Sequence, residues 1–261
     1  MKIWLIVIEG TLLAIAVIAG VLAFQIWQDA TPAKTSGCSE TIVVGKSVTG
    51  IQITACRLGD SNIEASNALL VVGTVHGDEP DGMRVVDELS TQQILADTQI
   101  WIIRDANPDG SQLATRRNAN GVDLNRNFPI RWVASDPLAR TYSGPSPASE
   151  PETLALMNAV ELIKPTRIVV FHQPYAQIDC PPERPATISD RLSQLTGFKS
   201  ECIPGEKSGS PTNTYTGTFT IWVNSTFPNT TAVTFELGLT TMQTKIETIA
   251  KALRVLATDP S

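Results

Sequence analysis

The sequence predicts an α/β domain built on a mixed, largely parallel central β-sheet flanked by helices, preceded by one N-terminal transmembrane helix. Three observations lead there. Residues 68–75, 99–103 and 167–171 are short, mostly apolar runs of the kind that form strands buried on both faces. Helix-patterned stretches alternate with them, as they do where strands lie parallel. The first 27 or so residues are apolar over a length no strand needs.

From Ile3 to Trp27 the only charged residue is Glu9. A helix of ~20 residues, rising ~1.5 Å each, crosses the ~30 Å hydrocarbon layer. A cleaved signal peptide has a shorter apolar region, ~7–15 residues. Residues 1–28 are therefore expected to be a retained signal anchor, and cleavage near Thr31-Pro32-Ala33, giving a secreted protein, is the alternative. A buried core helix is a third reading. Lys2 favours a cytoplasmic start and so an extracytoplasmic domain. Residues 29–40, with Pro, Ala, Thr, Ser and Gly, read as a linker, which leaves 41–261 as one domain with a sizeable core.

Within it, Thr41-Ile42-Val43-Val44 begins a strand, 45–50 is a turn, and 51–55 alternates apolar and polar residues like a half-buried strand. Residues 68–75 are a strand, 80–96 a helix opened by Pro80, and 99–103 another strand. Ser149 is a good N-cap, followed by Glu150 and Glu152, for a helix running to about Ile163. These two glutamates read as helix-start acids rather than catalysts. Strands at 167–171 and 231–235 and a helix over about 240–257 complete the domain.

The chain is 42% hydrophobic with a net charge of −6 and no basic run, which excludes a nucleic-acid partner. The four cysteines allow three pairings. Cys38–Cys56 with Cys180–Cys202 is favoured because each bond closes a short loop, and four buried free thiols is the alternative. No Cys-x-x-Cys pair is present, so a cysteine zinc site is not expected. Nothing in the sequence indicates the oligomeric state.

The chain has only two histidines, His76 and His172. Sites in open α/β sheets collect at the carboxyl ends of strands. Three such ends here carry His76 with Glu79, His172, and Glu236. A hydrolytic zinc site takes three protein ligands and keeps a fourth position open, and His76, Glu79 and His172 supply such a set. A His-x-x-Glu alone is equally an ordinary turn. A second cluster strengthens the first: Asn107-Pro108-Asp109-Gly110, then Arg116-Arg117 and Asn118 to Pro129. Val122 and Leu124 alternate with Asp123 and Asn125, as in a short extended segment with one polar face. Arg126 with Asn125 could grip a carboxylate, since guanidinium makes paired bonds to it.

His76-x-x-Glu79, Asn107-Pro108-Asp109-Gly110, Gly121-Val122-Asp123-Leu124-Asn125-Arg126-Asn127-Phe128-Pro129, Ser149-Glu150-Pro151-Glu152, Phe171-His172 and Thr234-Phe235-Glu236-Leu237 occur in this order. Together they resemble zinc carboxypeptidases of the carboxypeptidase A type over roughly residues 42–257. The string from Asn118 to Pro129 and the compact length look most like the murein tripeptide amidase branch, which cuts the γ-D-glutamyl–diaminopimelate bond of cell-wall peptides. The resemblance implies a zinc carboxypeptidase-like fold, one zinc ion and a peptide or muropeptide substrate. It makes His76, Glu79 and His172 the metal ligands. It makes Glu236 the general base that takes a proton from the attacking water and passes it to the leaving amine. Asn125 and Arg126 match the clamp for a terminal carboxylate, and Arg116 matches the arginine that stabilises the oxyanion, with Arg117 as the neighbouring alternative. Asp123 matches the carboxylate that orients a zinc histidine, His76. Tyr215 is the candidate for the family's flexible tyrosine, although its spacing to Gly217 and Trp222 is irregular. Gln173 follows His172 where a murein amidase has an acidic residue, which leaves substrate preference open. A general carboxypeptidase acting on ordinary peptides is the alternative function, and a non-catalytic binder of wall peptides is a third.

Overall fold

The computed structural model describes residues 37–59, 67–94, 98–181, 184–202 and 215–259. The anchor expected over 1–28 and the linker as far as residue 36 lie outside the described residues. Among those described, no helix is long and apolar enough to cross a membrane.

The described strands form one eight-stranded sheet in the order β1-β2-β4-β3-β5-β8-β6-β7. β1 (Cys38–Lys46) and β2 (Gln52–Leu58) make an antiparallel hairpin. Its turn is closed by Ser47 N–H to the Ile51 carbonyl at 2.8 Å, and Gly50 takes a φ of +94° that L side chains avoid. β1 starts three residues before the expected domain boundary at 41. Cys38 pairs with Leu58 and is bonded to Cys56, which draws the end of the expected linker into the sheet.

β3 (Ala68–Val72), β4 (Gln99–Ile103), β5 (Arg167–His172) and β8 (Thr231–Gly238) form the parallel centre. β2 pairs antiparallel with β4 on one side. On the other side β6 (Tyr175–Ile178) pairs antiparallel with β8 and parallel with β7 (Lys199–Ser200). The expected mixed, mostly parallel sheet is therefore present. The central strands are mostly apolar because both faces are covered. Leu69, Val71, Val169, Phe171, Val233 and Phe235 pack with α1 (Asp81–Ser90), α4 (Thr187–Thr196) and α6 (Gln243–Thr258). Leu70, Val72, Ile168, Val170 and Ala232 pack with α3 (Pro151–Ile163) and α5 (Phe219–Thr226) on the opposite face. Full burial of each large side chain is worth about 1.5–3 kcal/mol.

Several boundaries differ from expectation for local reasons. β3 stops at Val72, not 75, because the chain turns where Gly73 meets Gly82 of α1: a Cβ on Gly82 would lie 1.8 Å from the Gly73 carbonyl oxygen. α1 ends at Ser90, short of 96, where the Thr91 hydroxyl donates to the Glu88 carbonyl at 2.8 Å and competes with the helix for it. α6 begins at Gln243 rather than 240 because Thr241 N–H is bound by the Asp81 carboxylate at 2.6 Å. The short α2 (Pro108–Leu113), β6, β7, α4 and α5 are elements the sequence pattern did not reveal. Both favoured disulfides, Cys38–Cys56 and Cys180–Cys202, are formed, which sets aside the free-thiol alternative.

Candidate active site

The carboxyl ends of β3, β5 and β8 converge. His172 is the last residue of β5 and lies directly across from Glu236 on β8. His76 and Glu79 sit in the tight turn after β3, where Glu79 N–H donates to the His76 carbonyl at 3.0 Å. Gly77 within this turn is dictated by packing. A Cβ there would lie 2.0 Å from the Gly110 carbonyl carbon, so the turn rests directly on the α2 backbone. Asn107 makes that approach stable. Its side chain accepts from Gly110 N–H at 3.0 Å and donates to the carbonyls of Val75 at 3.1 Å and Arg116 at 3.3 Å. The Asn107-Pro108-Asp109-Gly110 motif thus joins the His76 turn to the segment bearing Arg116.

His76 and His172 are both buried, with their Nδ1 atoms 3.1 Å apart. Glu79 spans them, Oε1 at 2.9 Å from His76 Nδ1 and Oε2 at 2.9 Å from His172 Nδ1. The ligand atoms of the three residues lie within 4.8 Å of one another. His76 Nε2 lies 2.9 Å from the fully buried Asp123 carboxylate. A carboxylate accepts only, so it draws the imidazole proton to Nε2 and leaves the Nδ1 lone pair facing Glu79 and His172. Two imidazole nitrogens and a carboxylate converge at distances that either a ring N–H or a bound cation can bridge. A donor set of two imidazoles and one carboxylate is one that holds catalytic zinc, so these residues fit the ion.

The charges of the cluster follow from its contacts. Burial is the largest influence and works against the ionised forms of Glu79 and Asp123, but His76 and His172 together at Glu79, and His76, Arg116 and Arg126 together at Asp123, outweigh it, and both carboxyls stay far below their usual range. Burial opposes charge on His76, yet Glu79 and Asp123 raise its pKa, whereas burial lowers that of His172. Glu236 behaves differently. Burial pushes its carboxyl up to about 8, with the Glu79 charge adding to the effect. Its Oε2 is buried and makes no hydrogen bond within the protein.

A cavity of about 450 Å³ opens on this cluster and is lined by His76, Glu79, His172, Glu236, Arg116, Asn125, Arg126 and Tyr215. Arg116 bonds Asp123 through Nε at 2.9 Å and Glu79 through Nη1 at 3.1 Å. Arg117 instead donates to the Ala139 carbonyl at 3.3 Å and does not line the cavity. Asn125 and Arg126 lie in a 3-10 turn, Leu124–Arg126, capped by Asp123, rather than in the expected extended segment. Asp123 accepts Asn125 N–H at 3.0 Å, and this bond tightens the turn. The Asn125 amide accepts from Phe219 N–H at 2.9 Å, which turns its nitrogen to His172 Nε2 at 3.3 Å. The Arg126 guanidinium lies over the Tyr215 ring, 5.2 Å from its centroid. Burial, with Tyr175 nearby, pushes the Tyr215 hydroxyl up to about 12.

Asp179, Tyr175, Arg140 and Thr234 also line the cavity and were not identified from the sequence. Asp179 and Tyr175 escape because β6 is too short to show a period; Thr234 stood in a recognised motif, two residues before Glu236. The side chain of Gln173 is committed to backbone, donating to the Gly238 carbonyl at 2.8 Å and accepting from Asp81 N–H at 3.1 Å.

Comparison with known proteins agrees with this geometry. Residues 25–178 match the zinc carboxypeptidase family. Murein peptide amidase A of Escherichia coli (strain K12) is 36% identical over 140 residues, 49% of this chain and 57% of that protein. Murein peptide amidase A of Vibrio campbellii is 33% identical over 153 residues, 52% of this chain and 59% of its own length. The matched stretch thus spans less than two thirds of either curated relative. Among solved structures, murein-tripeptide amidase MpaA from Escherichia coli O157 superposes with a TM-score of 0.69 at 25% identity, covering 88% of this chain and 97% of that one. Carboxypeptidase A from Helicoverpa armigera shares the fold, with a TM-score of 0.66 at 17% identity over 85% of this chain and 70% of that one. The chain belongs to the zinc carboxypeptidase family.

Proposed function

We propose that this protein is a membrane-tethered zinc amidase, holding one ion, that trims cell-wall peptides outside the cytoplasm by cutting the γ-D-glutamyl–diaminopimelate bond. The observation that carries the reading is the meeting, in one cavity, of His76, Glu79 and His172 with a buried carboxyl at Glu236 and the Asn125–Arg126 pair. Bound at the three ligands, zinc would supply Lewis-acid polarisation of the scissile carbonyl and acidify water. Arg126 and Asn125 bind the free carboxylate of the residue on the amine side, which sets the register of the substrate. Glu236, whose ionised form a bound zinc ion would favour, takes the proton of the attacking water and returns it to the leaving amine, help typically worth ~10²–10⁴-fold. Arg116, braced by Asp123 and Glu79 in the cavity wall, is placed to meet the oxyanion. Arginines and acids, Arg140 and Asp179 among them, share the lining. That suits a substrate carrying both carboxylates and an amine, as diaminopimelate does.

The murein amidases among its relatives favour a wall peptide over an ordinary one. Two disulfides suit an oxidising compartment outside the cytoplasm. The apolar first 28 residues, read as an anchor, suit attachment at the membrane. Mass spectrometry of products from a defined γ-D-glutamyl–diaminopimelate tripeptide and from a plain α-linked peptide, with and without chelator, tests the proposal. Chelator-sensitive release of diaminopimelate from the first alone is expected. Cleavage of the plain peptide alone would instead make the protein a general carboxypeptidase.

A further inference from the structure

Glu150 stands at the N-cap of α3, yet its side chain makes no capping bond there. Its carboxylate is buried and turned the other way. Oε2 accepts from Asn118 Nδ2 at 2.7 Å and Asn120 Nδ2 at 2.9 Å, and Oε1 accepts from Ser149 Oγ at 2.6 Å. Glu152, fully buried, takes the other N–H of the same Asn118 amide at 2.9 Å and Val48 N–H at 2.9 Å. Asn118 in turn closes its own loop, its Oδ1 accepting from the N–H groups of Asn120 at 3.1 Å and Val122 at 3.0 Å. Nine residues on, buried Asn127 accepts Glu150 N–H at 3.2 Å and donates to Ser149 Oγ at 3.0 Å. The segment is thus pinned to the start of α3 at both ends, and between the pins lie Asp123, Asn125 and Arg126. Burying two carboxylates is costly and persists only where their hydrogen bonds are met. A helix start alone would be served by an exposed acid.

We propose that Glu150 is a positioning residue for the substrate-carboxylate clamp: acting through Asn118 and Asn120, it sets where Asn125 and Arg126 meet the substrate. The inference rests on the reading of those two residues as the clamp. Its test compares hydrolysis of a substrate whose amine-side residue has a free carboxylate with that of its carboxamide, using zinc-loaded full-length enzyme. Wild type should prefer the acid. In Glu150→Ala the KM for the acid should rise about tenfold or more, since misplacing a binding group by about 1 Å is that costly. The acid-to-amide preference should shrink, and zinc content at saturating zinc should stay at the wild-type level. Glu150→Gln, which keeps an acceptor for both asparagines, should restore the preference. Glu150→Asp, one methylene too short to reach both, should behave like Glu150→Ala and serves if the alanine variant does not fold. A lowered Tm with an unchanged acid-to-amide ratio in either disruptive variant overturns the proposal. A wild-type enzyme indifferent to that carboxylate would instead contradict the clamp itself, a different result that removes the proposal's basis.

Discussion

At the scale of single residues the site separates its carboxyl groups by environment. Glu79 and Asp123 meet imidazoles and Arg116 and stay ionised, whereas Glu236 is buried with one oxygen unbonded and is held protonated up to about 8. Between its ordinary 4.5 and that value, Glu236 is ionised in the unfolded chain and neutral in the fold. The fold then binds more protons, so this group lowers stability as pH rises through that window, by an amount on the order of a few kcal/mol in all. Glu79 and Asp123 act oppositely. Their stabilisation is present above ordinary carboxylate values and is lost as pH falls through their depressed ones. Metal-free Glu236→Gln should therefore show a flatter dependence of Tm on pH between about 5 and 8 than metal-free wild type. Equal slopes, measured by calorimetry in chelator, would contradict the assigned environment of Glu236.

At the scale of elements, the site depends on how closely two turns approach. In Gly77→Ala the new Cβ would meet only backbone, Gly110 C at 2.0 Å and Ser111 N at 2.3 Å, so the His76 turn must move. A loss of about 1–3 kcal/mol is expected, as for other overpacked sites, together with weaker zinc binding. Gly50→Ala is the control: its φ of +94° brings strain but no neighbour within 4 Å, so stability should fall and zinc affinity should not. Equal zinc affinity in wild type and Gly77→Ala, by competition titration, would sink the idea. The sequence made this geometry readable only in part. His76, Glu79, His172 and Glu236 were legible because strand ends are visible in apolar runs and the ligating residue types are rare there. The sheet's parallel centre was legible for the same reason. The four-residue β6 and two-residue β7 carry no full period, so the cavity wall they bring, including Tyr175 and Asp179, was hidden. The contacts of Glu150 with Asn118 and Asn120 were hidden because they are tertiary and an acid before a helix already has a local explanation.

For the whole molecule, the α/β scaffold gathers the candidate ligands from two parallel strand ends and the proposed base from a third. Chain connectivity keeps these far apart in sequence: 96 residues separate His76 from His172. Metal binding should therefore be a property of the fold rather than of a local peptide, and zinc should stabilise it, by about 2.7 kcal/mol at one hundred times its dissociation constant. Zinc stoichiometry by elemental mass spectrometry, read beside turnover of the diaminopimelate tripeptide in wild type, Glu236→Gln and His172→Ala, probes metal and base together. One zinc per chain is expected in wild type and in Glu236→Gln, with turnover only in wild type and loss of both in His172→Ala. Full zinc in His172→Ala, or wild-type turnover in Glu236→Gln, would contradict the assigned roles.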